Sequence, residues 1–245
     1  IVEQVYVIGC LSQRYGAELQ EEIPEVDAFF GKFDWKGVLE RMGEHFDERI
    51  RNQRVLTTPD HYAYLKISEG CNRTCSYCAI PIMTGKHKSR DFEELLEECR
   101  ALVKGGVKEI LVVAQDLTYY GIDLYGKNRL AELIGRIADI EGLEWIKLHY
   151  AYPAGFPLEL LTVMRERPNV CKYLDIALQH CSDHMLQQMR RGISKKQTIE
   201  LIRKIRQEVP GIFIRTTLMT GHPGETAEDF EELCEFVREM RFERL

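Results

Sequence analysis

Long apolar runs are missing from this sequence of 245 residues. Its uninterrupted stretches are short, such as that from Ile110 to Ala114, far below the roughly 18 residues that span a bilayer. No charged-then-apolar leader opens it, which argues against secretion and predicts a cytoplasmic protein without membrane contact. Positive charge is not in excess either. Lys and Arg total 33 against 39 Asp and Glu, a formal charge of −6, so a grip on nucleic acid through the bulk field is not expected and only local basic patches remain. Cysteine is sparse, eight residues, too few for a disulfide-stapled miniature domain. Low-complexity tracts and internal repeats are absent. What is present is ordinary globular usage, 44% hydrophobic and 29% charged, which excludes a disordered chain, a coiled coil and a collagen-like polymer. The length suits one large domain, or one and a part.

The patterning predicts an α/β protein. Residues 1–43 read as a small α/β piece: a strand at Val5–Ile8, a helix from Ser12 to Glu22, a strand at Asp27–Phe30 and a helix from Trp35 to Met42. Residues 44–60, with Arg49, Arg51, Thr57, Thr58 and Pro59, lack an apolar period and read as a linker. From 61 to 245 strand and helix alternate. Strands are expected at Tyr62–Ile67, Glu109–Ala114, Trp145–Tyr150, Tyr173–Leu178 and Ile212–Met219. Between them Leu95, Leu96, Cys99, Leu102 and Val103 recur at helical spacing, and further helices cover Leu130–Ile140 and the stretch from Pro157 to Arg165. Ser194 with Gln197, and Thr226 with Asp229, have the spacing of capping boxes opening the last two helices. Five β-α repeats imply a parallel sheet wrapped by helices, curled as a barrel or left open, with chemistry at the C-terminal strand ends. A sixth strand is expected to begin where the chain stops.

Three cysteines are clustered. Cys71, Cys75 and Cys78 stand as Cys-x-x-x-Cys-x-x-Cys in the loop after the first strand of the repeat region. Three thiolates on one loop suit three corners of a cubane iron–sulfur cluster, leaving the fourth iron open. Zinc competes, with His87 as the fourth ligand, but structural zinc usually pairs its cysteines in two separate knuckles, which favours iron–sulfur. Three unrelated core cysteines fit poorly in a loop that also carries Asn72, Arg73, Thr74 and Ser76.

The motif, with Tyr77 between its last two cysteines, resembles the radical S-adenosylmethionine (SAM) superfamily. The longer string from Glu69 to Pro81, followed by Lys88-Ser89-Arg90, resembles the methylthiotransferases within it. So do Ala114-Gln115-Asp116 with Tyr120-Gly121, Gln179-His180, and the stretch from Gly221 to Thr226. The resemblance implies a partial (β/α)6 TIM-like barrel in which Cys71, Cys75 and Cys78 hold a [4Fe-4S] cluster. There SAM is cleaved to a 5′-deoxyadenosyl radical and a methylthio group is installed at an unactivated carbon. Tyr77 is implied beside the adenine of SAM. Cys10, read alone, is a core residue after a strand. Val7-Ile8-Gly9-Cys10-Leu11 nevertheless resembles the last cysteine motif of the family's N-terminal domain, where three cysteines hold a second [4Fe-4S] cluster. Its other two cysteines would precede Ile1, so Cys10 is expected to be a ligand only in the full-length protein.

Other residues carry weaker signals. Arg215 sits among apolar neighbours of the last strand and must find a partner or face a cavity; the carboxylate or ribose of SAM is favoured over a structural ion pair. Gln179 ends the fourth strand of the repeats at the expected rim and is a candidate SAM contact, whereas His180 reads as a satisfied core histidine. Gln115 and Asp116 are candidates for SAM or substrate. The segment Gly221–Thr226 reads equally as a capped turn and as backbone that approaches SAM. Lys86, His87, Lys88 and Arg90 form a basic run, ordinarily a solvated face and alternatively a contact for an acidic or phosphate-bearing partner. Cys99 and Cys234 read as core, with Cys171 and Cys181 flanking the fourth strand. Cys181 stands where the family that this sequence resembles typically reads glycine after Gln-His, a departure without a physical account from the sequence.

Two branches of the family differ in substrate. One modifies an adenosine in transfer RNA; the other modifies the β-carbon of an aspartate in small-subunit ribosomal protein twelve. Ala114-Gln115-Asp116 and the string from Thr58 to Gly70 resemble the second. The resemblance therefore implies that ribosomal protein as partner, met on the ribosome, and an electron donor such as flavodoxin or ferredoxin. The small C-terminal β (TRAM) domain that helps both branches recognise substrate is not in this sequence. The alternative from another class is a zinc-binding interaction module without catalysis.

Overall fold

The computed structural model describes residues 2–32, 34–45 and 54–245. Residues 46–53 of the expected linker, with Arg49 and Arg51, lie outside the described residues. The rest form two compact units. The first takes in the described residues up to Val55 together with Gly70–Asn72 and Cys78–Lys86; the second takes in Leu56–Glu69, Arg73–Tyr77 and His87–Leu245.

The first unit starts with β1 (Tyr6–Gly9), α1 (Cys10–Glu22), β2 (Ala28–Gly31) and α2 (Trp35–Arg41). β1 and β2 pair in parallel from Tyr6↔Ala28 to Gly9↔Gly31, the β-α-β order read from the sequence. Asp34 caps α2 by accepting the Gly37 amide at 3.0 Å, which satisfies one of the orphan donors of a helix start.

The second unit is the β-α repeat region. It opens with β3 (Tyr62–Lys66) and β4 (Ser68–Glu69); then α3 (Ile80–Thr84) returns to the first unit. There follow β5 (Lys88–Ser89), α4 (Phe92–Lys104), β6 (Glu109–Val113), α5 (Ile122–Tyr125), α6 (Leu130–Ala138), β7 (Trp145–Ala151) and α7 (Glu159–Glu166). The unit ends with β8 (Val170–Gln179), α8 (Asp183–Gln188), α9 (Lys195–Glu208), β9 (Phe213–Leu218) and α10 (Ala227–Met240). The main sheet has the order β3-β6-β7-β8-β9, and every pairing is parallel. Strands added in sequence order without a reversal wind as in a barrel, not as in a doubly wound sheet. Beyond β9, Arg244 forms an isolated parallel bridge with Arg215.

Period two explains the layering. Ala63, Leu65, Ile110, Val112, Ile146, Leu148, Leu174, Ile176 and Ile214 are fully buried, alternate along their strands, and meet the apolar stripes of the helices. Leu95, Leu96 and Cys99 of α4, and Leu130, Leu133, Ile134 and Ile137 of α6, supply two of those stripes. Each buried Leu or Ile contributes about 1.5–3 kcal/mol. Several intervening positions are charged: Lys147 pairs with Glu109 at 3.2 Å, and Arg215 pairs with Asp175.

Element types match the sequence reading throughout this region, with shifted ends. The capping boxes at Ser194/Gln197 and Thr226/Asp229 are both formed. The short pieces α3, α5, α8 and the antiparallel pair β4–β5 went unread, because two to six residues do not establish a period. Cys171 lies inside β8, not beside it, since the strand starts three residues earlier than its aromatic residue suggested.

Candidate functional site

The cysteine motif spans a turn between β4 and α3, and its first cysteine is set by a glycine. Gly70 has φ +76°, and a Cβ there would meet the Lys86 carbonyl oxygen at 2.2 Å. No side chain fits, so glycine alone lets the loop present Cys71. The Cys71 amide donates to the Gly85 carbonyl at 3.2 Å. Cys71 and Cys75 are buried and Cys78 half-buried, all three with free thiols. Gly70–Asn72 and Cys78–Lys86 belong to the first unit and Arg73–Tyr77 to the second.

Within the second unit, residues from several strand ends converge on Cys75 and its neighbours. Tyr152 follows β7 and Arg191 follows α8, beyond the end of β8. Arg191 donates through Nη1 to Cys75 Sγ at 3.2 Å and to the Tyr77 hydroxyl at 3.0 Å, and through Nη2 to the Ala177 carbonyl. The Tyr152 hydroxyl lies 3.7 Å from Cys75 Sγ and donates to the Arg191 carbonyl at 2.7 Å. Arg191 and Arg73 both lie over the Tyr152 ring, at 4.2 and 4.0 Å from its centroid, within cation–π range. Arg73 in turn donates to Asp116 Oδ2 at 2.8 Å and to the Ala154 carbonyl at 3.1 Å. The Ser76 amide donates to the Met189 carbonyl at 3.2 Å. His222, in the loop after β9, lies 3.3 Å from Ser76 Oγ and edge-on to Tyr77.

The other predicted residues take distinct places. Gln179 ends β8 with φ +72°, a left-handed conformation that costs a non-glycine residue of order 1 kcal/mol or more, and its buried Oε1 has no hydrogen-bond partner. Arg215, expected to face SAM, is ion-paired with Asp175. Burial works to raise the Asp175 carboxyl, but hydrogen bonds from His149 and Arg215 outweigh it and hold the group below the usual carboxylate range. Gln115 donates to Glu69 at 2.6 Å. Asp116 is buried and accepts from Arg73 and from the Thr118 amide at 2.9 Å, so it serves as an anchor for Arg73. His180 is fully buried and contacts Glu225 at 3.2 Å. Cys10 is the first residue of α1 and half-buried.

Two bland readings need correction. The basic run is not one solvated face: His87 is buried beside Ser89, with burial pulling its pKa down, and Arg90 is bound by Glu94 and Glu98. Cys234 is only half-buried and lines a groove of about 670 Å³ with Leu218, Phe230 and Val237. Cys99 is fully buried. Cys181 is fully buried too, its thiol donating to the Glu232 carbonyl at 3.5 Å under α10. Sequence reasoning missed Arg191, Tyr152 and the role of Arg73. Nothing in the local pattern distinguishes buried Arg191 from exposed Arg190.

The residues fit an iron–sulfur cluster. Cys75 is buried and accepts an N–H from the Arg191 guanidinium at 3.2 Å, the kind of donor that supports a ligand sulfur, and a buried Arg191 Nε also lacks a partner. Among the described residues no three His, Cys, Asp or Glu side chains converge as a single ion requires; a cubane differs, taking each thiolate on a separate iron.

Parallel β-α repeats, with a three-cysteine loop after the first strand and a polar cage at the strand ends, define an enzyme class. The Radical SAM superfamily model matches residues 65–237, and the chain belongs to that superfamily. Along its whole length it is similar to proteins named ribosomal protein uS12 methylthiotransferase RimO. It is 66% identical to that of Porphyromonas gingivalis and 65% identical to that of Bacteroides fragilis, each over 244 residues. The chain spans 56% of the length of these relatives. Among solved structures it resembles the radical SAM methyltransferase TsrM of Kitasatospora setae, with TM-score 0.72 and 14% identity over 98% of this chain and 55% of that one. It also resembles the cobalamin-dependent radical SAM enzyme OxsB, with TM-score 0.66 and 13% identity over 95% of this chain and 38% of that one. At such identities these two matches concern the fold.

Proposed function

We infer that this chain is the radical SAM part of a methylthiotransferase that adds a methylthio group to the β-carbon of an aspartate in ribosomal protein uS12. The single observation that carries this reading is the 66% identity, across the whole chain, to proteins of that name. The cage around Cys75 supports the chemistry independently.

Cys71, Cys75 and Cys78 are the ligands of a [4Fe-4S] cluster that binds SAM. When bound, the pair supplies one-electron cleavage of SAM and, from it, a radical able to take hydrogen from an unactivated C–H. The protein's own groups bind and orient. Tyr77, its hydroxyl fixed by Arg191, lies against the adenine. Gln179 offers its buried Oε1 as an acceptor for SAM, and Arg215 contributes a guanidinium shared with Asp175. Burial of Cys71 and Cys75 keeps water from the reacting region. Residues 61–245 form the catalytic domain and residues 1–43 part of an N-terminal domain, joined by a linker at 44–60. Cys10 is a ligand of a second cluster in the full-length protein. The enzyme takes its electrons from a flavodoxin or ferredoxin and meets uS12 on the ribosome in the cytoplasm; among the described residues no helix is long and apolar enough to cross a membrane.

The test is 5′-deoxyadenosine release from SAM by the anaerobically reconstituted, reduced protein, followed by mass spectrometry of ribosomes and transfer RNA. Release that depends on Cys75, with a methylthiolated uS12 peptide, is the expected result. A methylthiolated adenosine in transfer RNA instead would move the substrate to the other branch. Bound zinc and no release would overturn the reading.

A further inference from the structure

Arg191 is the least expected charge in the molecule. It is 3% exposed, and among the described residues no carboxylate pairs with it. Three other arginines of the second unit are neutralised: Arg73 by Asp116, Arg90 by Glu94 and Glu98, Arg215 by Asp175. A buried guanidinium without a counter-charge is costly. The polar side-chain atoms it reaches are Cys75 Sγ and the Tyr77 hydroxyl, and its remaining contacts are the Ala177 carbonyl and the Tyr152 ring.

We propose that Arg191 is a positioning residue that holds Cys75 and Tyr77 and raises the reduction potential of the iron–sulfur cluster bound through Cys75. This rests on the cluster reading above. The physical argument has two parts. Hydrogen bonds to a ligand sulfur and nearby positive charge favour the cluster state with the extra electron. The planar guanidinium also reaches Cys75 and Tyr77 through Nη1 and Ala177 through Nη2, a fork that a lysine ammonium does not reproduce. Arg191 therefore ties the iron ligand to the residue placed against the adenine. The Tyr152 hydroxyl fixes the Arg191 backbone from the other side.

The test uses the whole reconstituted protein and three variants, Arg191→Met, Arg191→Gln and Arg191→Lys. Iron and sulfide content, apo melting temperature and a potentiometric titration followed by electron paramagnetic resonance are measured on each. Removing the charge is expected to lower the reduced-to-oxidised ratio at a fixed potential about tenfold, equal to about 59 mV for one electron, and Arg191→Lys to recover most of it. Loss of iron from both charge-free variants, with unchanged apo melting temperature and loading restored by Lys, also supports the assignment. Normal iron content with unchanged midpoint and spectrum in Met or Gln overturns it. So does loss of iron from all three variants with a collapsed melting temperature, which would mark a scaffold role. A wild-type protein that assembles no cluster defeats the underlying cluster reading instead.

Discussion

Cys75 and Cys99 are both buried, yet their surroundings are opposite. Cys99 lies on the inner stripe of α4 among Leu95, Leu96 and Leu102. Burial pushes its thiol up to about 12, with Glu98 adding to the rise. Cys75 lies among Arg191, Tyr152 and Tyr77 and accepts a guanidinium N–H. The first environment stabilises a neutral thiol that packs as a small hydrophobe; the second surrounds the sulfur with hydrogen-bond donors and a cation, the setting proposed above for a metal ligand. Burial alone therefore says little about a cysteine. The charge and donors around it decide its chemistry.

The comparison breaks most decisively at the metal. Cys75→Ala is expected to abolish iron–sulfur loading, whereas Cys99→Ala should keep full iron content and lose only about 1 kcal/mol of stability. Iron analysis and urea unfolding of the two variants decide it; iron retained by Cys75→Ala would end the contrast. Leu133→Ala, in the same apolar layer as Cys99, should cost about 2–5 kcal/mol in urea without altering iron content.

Alkaline pH sharpens the contrast. The Cys99 and Cys181 thiols both lie at about 12 in the fold, against an ordinary 9.0. Unfolding releases their protons more easily, so the stability they contribute is complete below pH 9 and is lost as the pH rises toward 12. Each thiol adds a slope of at most about 1.4 kcal/mol per pH unit in that window. Urea midpoints between pH 8.5 and 10.5 should fall less steeply in Cys99→Ala; an identical slope would mean that burial does not hold this proton. The smallest effect belongs to a helix start remote in kind from both cysteines. Thr226→Ala removes the side chain that accepts the Asp229 amide at 3.2 Å and should cost about 1 kcal/mol, read as a lowered urea midpoint.

The strands and long helices of the repeat region were legible because alternation and the 3.6-residue period are local properties, and the caps at Ser194 and Thr226 require only three residues of spacing. The three-cysteine loop was legible for the same reason, since Cys71, Cys75 and Cys78 lie within eight residues. The partner of Arg215 was not legible, because a charge in an apolar strand signals a partner without saying which one; Asp175 lies on the neighbouring strand, opposite it in register. His87 and Arg90 were read as surface because composition does not show which way a side chain turns.

By itself the sequence determined the alternation of strands and helices and the loop on which three cysteines are clustered. Only the tertiary structure decided what surrounds Cys75. Tyr152 and Arg191 are 77 and 116 residues away from it, and they meet it because parallel strands bring their C-terminal ends together at one side of the sheet. Such a cage has no local period. A buried charge becomes visible only when the strands that enclose it are in place.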